Sequence, residues 1–112
     1  MQIRKTYKGI NPQVLYDEVK DFVLKQGAIL ETHKLETYSL PSDSSAFVYR
    51  GTLTFKAGEA GKECVRVHIL GSDKGEIRLM IDIDEGQFPG DKITALQSDL
   101  DFILGSYEQK PR

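Results

Sequence analysis

The sequence predicts an α+β domain in which an antiparallel meander sheet carries two helices on one face, in the order β-α-β-β-β-β-α. Two segments, 12–26 and 91–107, place apolar residues at the 3.6-residue spacing of amphipathic helices. The segments between them alternate apolar and polar residues, as half-buried strands do. Short glycine-rich connections join consecutive strands as hairpins. The order of these two periods therefore predicts the architecture.

Composition is typical of a single domain in a reducing compartment. The chain of 112 residues has the common size of one domain, so we predict a single domain spanning 1–112. One cysteine, Cys64, excludes an intramolecular disulfide bond. Residues 1–8 lack the apolar stretch of a signal peptide, and no run approaches the roughly 20 apolar residues of a membrane span. We therefore expect a cytoplasmic protein.

Charge and motifs exclude several classes of partner and site. The net charge of −2, with both signs mixed along the chain, offers no general attraction for nucleic acid or an anionic membrane. Two histidines and one cysteine are too few for a structural zinc site. The sequence holds no glycine-rich phosphate loop, nucleotide fingerprint or nucleophile elbow. We therefore predict no metal, no cofactor and no catalytic residue.

The chain begins with a strand and a helix. Residues 2–8 alternate and are basic, which favours an edge strand, where lysine discourages unwanted pairing. Asn11 and Pro12 predict a helix start, because asparagine caps exposed N–H groups and proline suits the first helical position. Gly27 supplies the left-handed residue that ends a helix. The predicted apolar face of this helix comprises Leu15, Tyr16, Val19, Phe22, Val23 and Gln26.

The segment 28–40 changes phase along its length. A β-bulge would reconcile its two alternations, and so would a strand that leaves the sheet partway. The polar run 41–45 then predicts a loop between strands. One alternation holds Ile29 and Leu35, and the other holds Leu30, Tyr38 and Leu40.

Three strands with clean alternation follow, over 47–56, 64–70 and 76–84, joined by the hairpin connections 57–61 and 71–75. Symmetric hairpins predict which side chains stand side by side. On the helix side the rows are Phe55, Val65 and Ile81, then Leu53, Val67 and Leu79, then Gly51, Ile69 and Ile77. On the opposite, outer face the rows are Lys56, Cys64 and Asp82, then Thr54, Arg66 and Met80, then Thr52, His68 and Arg78, then Arg50, Leu70 and Glu76.

The last segment predicts a helix that covers the sheet. Asp91 is its expected N-cap, and Pro111 follows its end. Its length, on the order of 24 Å, suffices to cross most of the sheet. The predicted apolar stripe comprises Ile93, Leu96, Leu100, Ile103 and Tyr107, with Phe102 and Leu104 at its margins.

This order of elements resembles the TATA-binding-protein-like fold and the related helix-grip fold of the Bet v 1-like proteins. The resemblance covers the whole chain and consists of topology, with no family sequence motif. The chain lacks the intercalating phenylalanine pairs and the strong basicity of a TATA-binding saddle. The resemblance therefore implies a fold and carries little functional weight.

The outer sheet face is the first candidate site. It could be a solvated face, on which Glu76, Asp82 and Asp84 neutralise the basic groups. It could also be an interaction surface, because arginine and methionine are enriched at interfaces and an uncovered meander face suits a dimer or a protein partner. The predicted binding residues are Arg50, Thr52, Arg66, His68, Arg78 and Met80.

Gly51 marks the second candidate site, because it leaves a gap in the apolar face. Either the closing helix packs tightly there or the strand bends, which is what glycine in a strand usually indicates. Alternatively, the gap belongs to a ligand cavity between sheet and helix, to which Tyr49 and His33 supply polar groups.

Pairs of reactive side chains are weak candidates. Cys64 and His68 are four residues apart on one strand, roughly 13 Å, whereas a nucleophile and its base need about 3 Å. The acidic run at 82–85 and the pair of Glu31 with His33 are more typical of solvated strand positions.

Together these features favour a non-enzymatic binding domain that self-associates or binds a protein partner through the outer face. A carrier or enzyme for a small apolar ligand, with a cavity beneath the closing helix, is the first alternative. Weak nucleic-acid binding by the outer face is the second.

Overall fold

The structure, a computed structural model, describes residues 1–41, 43–72 and 75–109, without the side chains of 43–46. Its five strands form one antiparallel sheet in the order β1-β5-β4-β3-β2. The predicted order β-α-β-β-β-β-α is confirmed. The elements are β1 (Gln2–Lys8), α1 (Pro12–Lys25), β2 (Ile29–Leu40), β3 (Asp43–Lys56), β4 (Glu63–Ser72), β5 (Glu76–Ile83), α2 (Gly90–Leu104) and the 3₁₀ turn η1 (Gly105–Tyr107).

Helix α1 follows its local signals closely. The side chain of Asn11 accepts a hydrogen bond of 2.8 Å from the backbone N–H of Gln13, and Pro12 occupies the first turn. Gln26 is the C-cap, and Gly27 has a φ of +90°, in the left-handed region. The predicted apolar face is buried at Leu15, Tyr16, Val19, Phe22 and Val23.

Helix α2 differs from its prediction at both ends. Its N-cap is Pro89, with Asp91 in the first turn instead of at the cap. The chain tightens to 3₁₀ geometry over Gly105–Tyr107, so the α-helix ends at Leu104. Pro111 lies outside the described residues. The buried stripe is Ile93, Leu96, Leu100 and Leu104, whereas Phe102, Ile103 and Tyr107 are exposed. In the described part of the chain neither helix has both the length and the apolar character needed to cross a membrane.

The hairpin of β2 and β3 is longer than the sequence pattern predicts. The polar run 41–45 is mostly strand, because β3 begins at Asp43, which pairs with Leu40; Ser42 lies outside the described residues. The ladder continues this far because each added pair satisfies backbone N–H and C=O groups. A 14-residue strand is about 47 Å long, which matches the 45 Å long axis of the molecule.

Of the two alternatives for the 28–40 segment, the structure shows the β-bulge. The register of β2 against β3 shifts between Leu30 and Thr32. The extra residue brings Leu30 onto the same face as Leu35, and both pack against the core. The core lies between one sheet face and the two helices. It includes Ile3, Leu53, Phe55, Val65, Val67, Ile69, Ile77, Leu79 and Ile81 from the strands.

Candidate interaction surface on the outer sheet face

The strand registers decide which outer-face side chains are neighbours. The β3–β4 register is as predicted, with Phe55 opposite Val65. The β4–β5 register is shifted by two residues from the prediction, because β4 continues through Gly71 and Ser72 instead of turning there. One outer row therefore runs Lys34, Thr52, His68, Met80 and Arg4, and the next runs Glu36, Arg50, Leu70, Arg78 and Thr6.

β4 and β5 pair as the predicted hairpin, and the closeness of Gly71 to β5 explains why its register differs from the prediction. A Cβ added to Gly71 would lie 2.5 Å from the Cα of Ile77, which is closer than real Cβ atoms come. This glycine therefore allows two strands to approach, a role that glycine takes inside strands as well as in turns. Asp73 and Lys74 of the predicted connection lie outside the described residues.

A bulge also changes the predicted row at the other end of the sheet. Lys56 lies opposite Glu63, not opposite Cys64, because β4 carries an extra residue there. Cys64 is buried in the core cluster, and this burial raises the pKa of its thiol. Asp82 lies opposite Arg66 instead of in the Cys64 row.

The outer face encloses a trough of about 950 Å³. This volume is within the range of sites that hold small ligands or the side chains of a peptide. Half-buried Met80 and His68 and exposed Leu70 lie along the middle of the lining, where they give it an apolar floor. Its charged rim includes Arg4, Arg50, Arg78 and Glu76, with Thr6 and Gln109.

The arginines differ in their partners. Arg66 donates hydrogen bonds of 2.8 and 3.1 Å to Glu63. Among the described side chains, neither Arg50 nor Arg78 has a carboxylate within 4.0 Å. They flank Leu70 on the neighbouring strands, so their Cα atoms are about 10 Å apart. The trough therefore presents two guanidinium groups that form no ion pair with a described carboxylate.

The nearest carboxylate across from Arg50 already has other partners. Glu36 accepts a hydrogen bond from the hydroxyl of Tyr38 and forms an ion pair of 3.6 Å with Lys34. The Tyr38 hydrogen bond is the main cause that lowers the pKa of Glu36, with smaller contributions from Lys34 and Arg50. Glu36 is therefore ionised at neutral pH, at the margin of the trough next to the free edge of β2.

Five of the six predicted outer-face residues come together in the two central rows: Arg50, Thr52, His68, Arg78 and Met80. Arg66 lies one row away, paired with Glu63. The prediction missed Arg4, which lies opposite Met80, and Gln109, which follows the last helix. The alternation of residues 2–8 already separates Arg4 from the core side, but only the pairing of β1 with β5 brings it to the trough.

The three residues predicted to line a cavity, His33, Tyr49 and Gly51, do not come together around a common space. A Cβ at Gly51 would lie 2.8 Å from Cδ2 of Tyr16, so the ring of Tyr16 on α1 fills the space in front of this glycine. This supports tight helix packing at Gly51, by the first helix instead of the closing one. His33 is exposed opposite Leu53, and Tyr49 is half-buried opposite Thr37.

A second polar group lies on the helix side of β1. The ammonium of Lys5 is 3.1 Å from Glu108 and 3.2 Å from Asp101. Burial lowers the pKa of Lys5, but the two carboxylates together raise it further, so the net shift is upward. The hydroxyl of Tyr7 is buried with no hydrogen-bond partner among the described residues, and burial, followed by these carboxylates, raises the pKa of Tyr7 well above its usual range.

The unpaired guanidinium groups around an apolar floor give the trough an arrangement that can bind anionic groups. In the part of the chain that the structure describes, no group of three or more His, Cys, Asp or Glu side chains could hold a metal ion. Cys64 is buried, whereas His68 faces the trough, so the two do not form a nucleophile and base. No known protein family, curated protein or solved structure matches this chain.

Proposed function

We propose that this chain is a non-enzymatic binding domain that docks an acidic segment of a protein partner in the outer-face trough. The observation that carries the proposal is the pair Arg50 and Arg78, which flank apolar Leu70 without a described carboxylate partner. Arginine binds carboxylates through two parallel hydrogen bonds, and it is enriched at interfaces. An apolar floor between two arginines suits a segment that alternates acidic and apolar side chains.

The charges favour a different protein over a second copy on this face. A two-fold symmetric contact brings the same patch of both copies together. Centred on this trough, it would place Arg50 and Arg78 against their own copies, and like charges across an interface are costly. An acidic segment instead supplies the opposite charge.

A displayed library of random dodecapeptides tests the proposal without assuming a partner. Selection on the wild-type chain is expected to enrich peptides that combine Glu or Asp with apolar residues. The selected peptides should bind less tightly as salt rises, because the Debye length shortens from about 10 Å at 0.1 M to about 3 Å at 1 M and the attraction between exposed charges is screened beyond that distance.

A matched set of arginine variants locates the binding site. The double variant Arg50→Glu/Arg78→Glu should weaken a selected peptide by about 100-fold, since it reverses both unpaired charges. The control Arg66→Glu should weaken it by less than about threefold, because that arginine is already paired with Glu63 at the exposed surface. Equal losses in the two variants would contradict the proposal.

Two further results would overturn it. One is a selection that yields no acidic preference. The other is retention of the chain on immobilised RNA or DNA at low salt, lost in the double arginine variant, which would assign the trough to nucleic acid instead. A small apolar ligand between sheet and helix has less support, because Tyr16 fills the space at Gly51.

We also propose a TATA-binding-protein-like fold and a cytoplasmic location for this chain. The element order and the sheet order β1-β5-β4-β3-β2 support the TATA-binding-protein-like resemblance at the level of topology. A single cysteine, Cys64, supports a reducing, cytoplasmic environment.

A further inference from the structure

The free edge of β2 is the longest unpaired edge that the structure describes. β2 is the last strand in the sheet order and pairs only with β3. No residue of its 12 is fully buried, and its register against β3 is regular over 32–39. Such an edge presents a row of backbone N–H and C=O groups that can pair with another strand.

The sequence along this edge is complementary to itself. In an antiparallel pairing with a second copy, centred on Leu35, Lys34 of each copy lies opposite Glu36 of the other. Thr32 lies opposite Tyr38 of the second copy, and Leu35 lies opposite Leu35. Opposite-charge and aromatic–β-branched pairs across strands each contribute roughly 0.2 to 1 kcal/mol, and two-fold symmetry doubles every such pair.

Neighbouring registers lack this complementarity. A shift of the centre by one residue along β2 places Lys34 opposite Lys34, and a shift in the other direction places Glu36 opposite Glu36. Like charges directly opposite are destabilising. Registers centred between two residues pair the core side of one copy with the outer side of the other, so Leu35 would meet a polar side chain.

We propose that two copies of this chain associate through their β2 edges, in the register centred on Leu35, to form one continuous ten-stranded sheet. In this register the helices of both copies lie on one side of the sheet and both troughs lie on the other, because residues of the same face are paired. The association is independent of the acidic-partner function, although it places two troughs on one surface.

The two sheet edges favour an assembly of two copies. The β1 edge is covered at one end by residues 108–109, since Tyr7 pairs with Glu108 and the backbone N–H of Gln109 donates to Thr6. On β2, the bulge after Leu30 and the irregularity after Ser39 limit regular pairing to a short stretch. An isologous contact uses the same edge of both copies, so it closes on itself as a dimer and does not propagate into a fibre.

A charge-swap series tests the proposal by sedimentation equilibrium over a concentration series. The wild type is expected to show a monomer–dimer equilibrium. Lys34→Glu and Glu36→Lys should each weaken the dimer by about tenfold or more, because each creates two like-charge contacts. The double variant Lys34→Glu/Glu36→Lys should restore it, since the two charges exchange places.

Mixing the two single variants gives the sharpest result. The variant Lys34→Glu has glutamate at both 34 and 36, and Glu36→Lys has lysine at both positions. When one copy of each variant pairs, both 34–36 contacts join a glutamate to a lysine. The mixture should therefore form a heterodimer that neither variant forms alone. Circular dichroism and thermal unfolding of each variant check that these exposed substitutions leave the fold intact.

Any of three results would overturn the proposal: a wild type that stays monomeric at every concentration, single variants that dimerise like the wild type, or a mixture that does not associate. The variant Arg50→Glu/Arg78→Glu separates this inference from the proposed function. It should no longer bind acidic peptides but should still dimerise, whereas Lys34→Glu should no longer dimerise but should still bind the peptides.

Discussion

The two edges of the sheet differ in how far the rest of the chain packs against them. At β1, Tyr7 is fully buried, and Lys5 joins Asp101 and Glu108 in an ion cluster. The backbone N–H of Gln109 donates a hydrogen bond of 2.7 Å to the carbonyl oxygen of Thr6. At β2, none of the 12 residues is fully buried, and no described strand pairs with its free edge.

Whether a sheet edge is protected from pairing with another strand therefore depends on the tertiary structure. The basic residues of β1 predict an exposed edge on which lysine discourages pairing. Lys5 instead faces the helix side, where two acids from the end of the chain neutralise it. The strand β2 also carries charges, but in the proposed pairing of two copies Lys34 would lie opposite Glu36, so these charges would not discourage association.

Truncation of the two edge tyrosines gives the largest expected contrast. Tyr7→Ala removes a fully buried ring and should lower the free energy of unfolding by about 3 to 5 kcal/mol. Tyr38→Ala, on the open edge, removes a ring that is 46% exposed and should cost less than about 1 kcal/mol. Urea denaturation of both variants measures the difference, and equal losses would show that β1 is not the anchored edge.

Gly51→Ala tests how α1 supports the open side of the sheet. The added Cβ would lie 2.8 Å from the Tyr16 ring, so the ring must move, and overpacking of this kind costs about 1 to 3 kcal/mol. Gly58→Ala is the control, because a Cβ there meets nothing within 4 Å. Thermal unfolding should separate the two variants; a wild-type transition for Gly51→Ala would mean that Tyr16 does not brace this strand.

Removal of the edge lysines should have a smaller and unequal effect. Lys5→Met leaves Glu108, whose side chain is 12% exposed, without its main partner, and should cost about 1 to 2 kcal/mol. Lys34→Met, at a side chain that is 71% exposed, should change the stability of the monomer by less than about 0.5 kcal/mol. Chemical denaturation at low protein concentration measures both. If the two losses were the same, the ion cluster would not stabilise the β1 edge.

Tyr7→Phe should have the smallest effect at neutral pH and a distinct effect in alkali. It removes a buried hydroxyl without a described partner, so stability should stay the same or rise by about 1 kcal/mol. Because the folded pKa of Tyr7 is raised above its ordinary value of 10.0, the unfolded chain loses this proton first. The contribution of the protonated Tyr7 to the free energy of unfolding is therefore complete below pH 10 and decreases as the pH rises above 10.

The pH profile supplies the matching measurement. Wild-type stability should fall above pH 10, and part of that fall should be missing in Tyr7→Phe. The raised pKa of Lys5 acts in the same direction, since its contribution is present below 10.5 and is lost as pH rises through the folded value. Identical alkaline profiles for the wild type and Tyr7→Phe would show that the phenol is not as deeply buried as the structure indicates.

Local signals explain most of what could be predicted from the sequence. Asn11, Pro12 and Gly27 bound α1 within one residue, because caps act through groups only a few positions away. The phase change within 28–40 is also a local signal, but it leaves a bulge and a departing strand open, and only the pairing with β3 shows the bulge. The end of α2 could not be predicted in this way: Leu104 and Ile103 fit the helical spacing equally well, and only the packing of the helix on the sheet shows that Leu104 is the buried one.

The candidate site was predictable in its residue types but not in its shape. Alternation alone assigns Arg50, His68 and Arg78 to the outer face. The register of β4 against β5 depends on Gly71, which resembles a turn residue in the sequence and is a strand residue in the structure. The two-residue difference moves Arg78 beside Leu70 and separates Arg66 from Met80, and this creates the apolar floor between two arginines that have no described carboxylate partner.

Periodicity is a local property of the chain, so the order of elements, the two faces of each strand and the self-complementary pattern around Leu35 can be read from the amino acids alone. The register that shapes the trough and the choice of the open edge come from the folded structure. These depend on contacts between distant residues, such as Lys5 with Glu108, which are 103 positions apart. No short window of sequence contains both partners of such a contact, so only the folded chain determines which of its surfaces remain free.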